Sequence, residues 1–138
     1  MPESNVDRLR GGYEALSRGD YEAIRDELLD PKILLQDRPE APDARSYRGY
    51  EGMLTTLGDT SETFENFRLD PEQFFEHADK IVVILSMTGR GRASGVPVKE
   101  RIAHLWTFRD GLAVELRAFT DPADALEAAG LPRTLAGE

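Results

Sequence analysis

The chain predicts an α+β fold, with helices covering one face of a curved antiparallel sheet, and three observations carry that prediction. Apolar residues recur at helical spacing near the N-terminus, first at Val6, Leu9, Tyr13 and Leu16 and then at Tyr21, Ile24, Leu28 and Leu29. From Phe64 onward, strand-like segments alternate with turns. The last two of these segments, between Val98 and Asp121, form a hairpin whose apolar side chains gather on one face, leaving a concave apolar surface for the helices to cover.

In chain order, Gly19 closes the first helix and Asp20 caps the second, which Pro31 is expected to end. Ile33 to Gln36 reads as a short strand. Arg38 to Ser46, with Pro39, Pro42 and scattered charges, reads as an exposed loop. Tyr47-Arg48-Gly49 leads into a short helix, Tyr50 to Leu57, followed by a polar connection through Gly58, Asp59 and Thr60. Phe64 to Phe75 supplies one broken strand, Ile81 to Arg92 a long one, and Gly95 the turn into the hairpin. Asp121-Pro122 opens a last helix, Ala123 to Ala129, stopped by Gly130.

The hairpin register decides which residues share a face, because a slip of one flips a strand. A three-residue loop, Arg109-Asp110-Gly111, sets Phe108 against Leu112 and His104 against Leu116, so the two apolar sets coincide. A two-residue Asp-Gly loop sets Trp106 against Glu115 and His104 against Arg117. The coincidence of apolar sets selects the three-residue loop. On the inner face this leaves His104 and Trp106 among apolar neighbours, with Glu100 and Thr120 toward one end. The outer face carries Ala103, Leu105, Thr107 and Phe119 among charges. That surface is too apolar to leave in water, so a homodimer is expected.

Composition narrows the function. With 138 residues, 40% hydrophobic and 31% charged, the chain reads as one globular domain spanning 1–138 with a real core. A net charge of −9 repels phosphate backbones and anionic lipid, so neither nucleic acid nor a membrane is an expected partner. The absence of cysteine excludes disulfides and thiolate chemistry. The histidines are His77 and His104, with no spaced carboxylate motif joining them, so no metal site is expected. Gly89-Arg90-Gly91-Arg92 lacks the strand-to-helix context of a phosphate loop, and no cofactor is expected. The first residues lack the basic and apolar regions of a signal peptide, which points to a cytoplasmic protein.

Three motifs resemble the SnoaL-like and ketosteroid-isomerase-like branch of the nuclear transport factor 2-like superfamily: Tyr13 to Ile24, Tyr47 to Met53, and Ala103 to Gly111. The resemblance implies a cone, in which N-terminal helices close a curved sheet around a pocket for an apolar small molecule, commonly in a homodimer. The same cone hosts isomerases, cyclases and non-enzymatic binders. In ketosteroid isomerases a helix tyrosine and a late-strand aspartic acid hold the oxyanion while a first-strand aspartate moves the proton. Counted without gaps, those sites fall on Gly12, His104 and Gln36, with Tyr13 and Asp37 one place off. A helix or strand shift of one turns a side chain away from the pocket, so the sequence looks unlike a ketosteroid isomerase, and ketosteroid turnover is expected to be absent or feeble. In SnoaL-type cyclases the acid/base aspartate at the end of the last strand matches Asp121, while the partner histidine appears as Arg90 or Arg92.

The candidate pocket residues are thus Tyr13, Gln36, Tyr50, His104, Trp106 and Leu116. His104 reads either as a general acid/base in a partly dry pocket or as a hydrogen-bonded core histidine. Asp121 reads either as the acid/base of a cyclase or as an N-cap. The function expected is binding of an apolar small molecule in this pocket, and two hypotheses stay open: isomerase- or cyclase-type proton transfer on an apolar carbonyl compound with His104 or Asp121 as base, or a module that binds its ligand without turnover.

Overall fold

Ser4 starts the first helix, its hydroxyl accepting from the Asp7 amide at 3.1 Å, and α1 runs Asn5–Arg18 until Gly19 turns left-handed with φ 73°. Asp20 caps α2 (Tyr21–Glu27) through the Ala23 amide. The computed structural model describes residues 4–37 and 46–137. Most of the proposed 38–46 loop therefore lies outside the described residues.

Pro31 does not end α2. It sits inside β1 (Leu29–Gln36), where the ladder shifts register between Leu29 and Leu34 and no paired amide is required of it. After β2 (Ser46–Arg48), α3 runs Gly49–Thr63, straight through the Gly58-Asp59-Thr60 stretch read as a connection. A mid-helix glycine costs about 1 kcal/mol. Thr55, Thr56, Thr60 and Thr63 each donate to the carbonyl four residues back, and the helix is held in place by packing across β1 and β3.

The remaining strands are β3 (Phe64–His77), β4 (Lys80–Gly91), β5 (Pro97–Arg109) and β6 (Leu112–Phe119), followed by α4 (Pro122–Ala128) and a short 3-10 turn, Arg133–Ala136. They form one curved, open sheet of six strands in the order β2-β1-β6-β5-β4-β3. It is mixed rather than wholly antiparallel, because β1 and β6 run parallel side by side. Alternation along each strand reveals faces but not neighbours, so that pairing had no local signal.

The β5–β6 hairpin follows neither register considered above. Asp110 and Gly111, with φ 52° and 80°, make a two-residue loop that pairs Arg109 with Leu112 and Phe108 with Ala113. The register then shifts so that Thr107 faces Glu115, leaving Val114 as the extra residue of a bulge. Beyond it Trp106 faces Leu116 and His104 faces Ala118, not Leu116. The apolar faces coincide after all, through a bulge instead of a longer loop. The Arg8 guanidinium, reaching from α1, donates to the Gly111 carbonyl and ties the turn to the helix layer.

Two cores result. The inner one joins Leu9, Tyr13 and Ile24 to Ile33, Leu35, Ile81, Val83, Ile102 and Trp106. The outer one packs Ala125, Leu126 and Ala129 onto Val82, Ile84, Ala103, Leu105 and Phe119. The outer face of the hairpin, which prompted the expectation of a homodimer, is thus covered by the chain's own α4. Leu54, Val96 and Leu135 are the large apolar side chains left exposed among the described residues.

Candidate functional site

Between the helices and the concave sheet face lies a cavity of about 200 Å³, walled mainly by apolar side chains, among them Leu9, Leu16, Leu28, Met53, Phe67 and Leu116. Tyr13 reaches it from α1, and the reason lies one residue earlier. Gly12 faces Leu28, where an added Cβ would come within 2.7 Å of the Leu28 side chain, so the helix turns Tyr13 toward β5. On β5, His104 and Trp106 project two residues apart onto the same face.

These three side chains form a hydrogen-bonded chain. The Trp106 Nε1–H donates to the Tyr13 hydroxyl at 2.9 Å, and that hydroxyl lies 2.7 Å from His104 Nδ1. The rings support one another: Tyr13 and His104 stack at 6.0 Å between centroids, and Trp106 meets each of them edge-on. Burial lowers the His104 pKa to about 4, so the imidazole is neutral near pH 7. The same burial raises the Tyr13 hydroxyl pKa against the opposing effect of its Trp106 hydrogen bond.

A neutral phenol and a neutral imidazole can be arranged in two ways. With Tyr13 donating to Nδ1, the His104 Nε2–H is left over; with Nδ1–H donating to Tyr13, the phenolic O–H is left over and Nε2 is bare. Either way the pair has one uncharged donor to spare. No buried side-chain nitrogen or oxygen among the described residues is without a partner, and His104 is one of the residues that line the cavity.

The other candidates divide. Leu116 and Trp106 line the cavity as expected. Gln36 touches it, but its amide turns to the opposite sheet face and donates to Glu115 at 3.1 Å. Asp37, one residue on, is among the lining residues, as the alternation Ile33, Leu35, Asp37 requires. The gap-free count fell on Gly12 and Gln36, and their neighbours Tyr13 and Asp37 line the cavity as well. Tyr50 is not part of the wall; its ring lies under the Arg25 guanidinium at 5.0 Å, and Tyr47 lines the cavity in its place. Asp121 is the N-cap of α4, accepting from the Ala123 amide at 2.9 Å, and does not line the cavity. Arg90 and Arg92 are held by the Gly95 and Ser61 carbonyls, each at 2.6 Å, and do not line it either. His77 binds the Ala129 carbonyl through Nδ1. No group of three or more His, Asp or Glu among the described residues is placed to hold a metal. No described helix is long and apolar enough to cross a membrane.

Solved structures share this architecture. A nuclear transport factor 2-like protein from Burkholderia thailandensis superposes with a TM-score of 0.79 at 20% identity, covering 95% of this chain and 100% of its own. TerC, co-crystallised with polyporic acid, gives 0.74 at 21% identity, over 91% and 96% of the two chains. A Catenulispora acidiphila protein of ketosteroid isomerase-like fold, in complex with trimethylamine, gives 0.70 at 15%, over 91% and 94%. At such identities the likeness shows the fold alone. No match is found among curated proteins. The SnoaL-like domain family matches residues 9–116, across the cavity-lining residues of α1, α2 and α3 and the sheet from β1 to the Leu116 position, and the chain belongs to that family.

Proposed function

We propose that the protein catalyses isomerase-type proton transfer on an apolar carbonyl compound bound in the cavity, with Asp37 as base and the Tyr13–His104 pair as the donor to the carbonyl oxygen. The observation that carries this reading is the pairing, within one apolar cavity, of a carboxylate just past the end of β1 with an uncharged hydrogen-bonded donor on β5 and α1. The strand between them is β6, so their backbones stand about 10 Å apart at the usual strand spacing, enough for a ring. The Asp37 carboxylate removes the proton next to the carbonyl, the C–H electrons pass through the carbon framework to the oxygen, and the resulting enolate is held by the donor. The proton then returns to carbon from Asp37. The donor must be uncharged and already positioned, and the neutral Tyr13–His104 pair fixed by Trp106 meets both conditions.

Incubation with β-tetralone in deuterated buffer tests the reading, with α-proton exchange followed by NMR. The natural protein should accelerate exchange. Asp37→Asn should reduce the acceleration about 10²–10⁴-fold, and Tyr13→Phe should reduce it about 10²–10³-fold. Exchange equal in the natural protein and in Asp37→Asn sinks this mechanism. Saturable binding without exchange would point instead to a module that captures a ligand without turning it over.

A further inference from the structure

From the size and polar inventory of the cavity we infer that the substrate is a neutral carbonyl compound of one ring or two fused rings, not a steroid or an extended polyketide. This rests on the proton-transfer reading and narrows it. An apolar cavity on the order of 150 Å³ holds benzene. The 200 Å³ here has room for one further small ring or a short side chain, and far less than a four-ring skeleton needs.

The polar lining is nearly all committed to the protein itself. Trp106 donates to Tyr13 and Gln36 to Glu115, while the Thr56 and Thr60 hydroxyls donate to the Gly52 and Thr56 carbonyls of their own helix. Among the described residues, the side-chain donors that remain are the one delivered by Tyr13–His104 and the Tyr47 hydroxyl on β2, near the sheet edge. A ligand rich in oxygen would bury more acceptors than these can satisfy, and each unpaired buried polar group weakens binding. Among the described residues, no lysine or arginine lines the cavity, so none of them supplies a cation to a carboxylate-bearing ligand.

The chain contains one tryptophan, and Trp106 lies in the cavity wall, so its fluorescence reports occupancy directly. The probes are β-tetralone, carvone, progesterone and naphthoate, with affinities checked by calorimetry. β-Tetralone and carvone should bind saturably. A misfit of one methylene in an apolar pocket changes binding roughly 10–200-fold, so progesterone should bind at least about tenfold more weakly, and naphthoate likewise. Replacing Met53 and Phe67 by alanine together should raise progesterone affinity toward that of β-tetralone. Progesterone or naphthoate binding the natural protein as tightly as β-tetralone overturns the inference, as does saturable binding by none of the four. If β-tetralone binds first in this order but its α-protons do not exchange, the proton-transfer reading falls while the ligand class stands.

Discussion

An imidazole bonded to a phenol through one nitrogen and buried against a largely apolar cavity is penalised when it takes up a proton, and that makes His104 a contributor to stability as well as to chemistry. Its folded pKa of about 4 lies below the ordinary 6.5, so between those values the unfolded chain binds the proton more readily. The contribution is present in full above pH 6.5, is lost as pH falls toward 4, and amounts to up to about 3 kcal/mol across that window. Urea unfolding of the natural protein and His104→Gln at pH 7 and near pH 4.5 checks this: the natural protein should lose more stability on acidification than the variant. Equal losses would show that the imidazole is charged in the folded state or exposed to bulk water. His104 and Trp106 were legible because alternation along a strand assigns their face, and Tyr13 because helical spacing does. Asp37 was not, because counting from a distant landmark placed the site on Gln36, while the nearer Ile33–Leu35 alternation points to Asp37. Tyr50 misled for a similar reason. Being aromatic near a glycine does not tell which side of the β2–α3 junction faces inward, and the structure turns Tyr47 there.

At the level of elements, the hairpin shows how a local device decides what the site contains. The Asp110-Gly111 loop alone would oppose Trp106 to Glu115 and bring Glu115 and Arg117 to the cavity side; the extra residue at Val114 corrects the parity and returns Leu116 and Ala118 to the wall. Deleting Val114 should therefore do more harm than losing one half-buried side chain. Either the charged residues turn inward, or β6 loses its pairing to β5 and to β1 together. The expected outcome is a loss of cooperative unfolding, with Trp106 fluorescence shifted to that of a wet indole. Val114→Ala, which keeps the bulge, should melt within a few degrees of the natural protein, because a partly buried methyl pair is worth only about 1–1.5 kcal/mol. A deletion variant as stable as Val114→Ala would refute the role given to the bulge. Sequence alone could demand that the apolar faces coincide. It could not distinguish a three-residue loop from a two-residue loop with a bulge, since both shift the register by the same parity.

For the whole molecule, the order of the layers changes what the outer sheet face means. Ala103, Leu105 and Phe119 on β5 and β6 looked like an interface awaiting a second copy, yet α4 already covers them, with Leu105 1% exposed and Leu126 fully buried. Burying one such leucine contributes about 1.5–3 kcal/mol, so α4 is a structural lid on the outer core. The C-terminal helix was legible from Asp121-Pro122, but its destination was not, because seven residues of helix carry no information about which face they will cover. The distinction is measurable through Leu105→Asp. Were Leu105 at a dimer interface, that change would leave a folded monomer. Packed under α4, it places a carboxylate in an apolar core with no partner and should destabilise the fold by several kcal/mol. Unfolding followed at two protein concentrations a hundredfold apart separates the cases, since a change that acts on association shifts the midpoint with concentration and one that acts on the monomer core does not. A well-folded Leu105→Asp with only weakened self-association would mean that α4 leaves this face in solution; a destabilised chain with the same loss at both concentrations assigns the face to α4 and removes it as a surface for self-association.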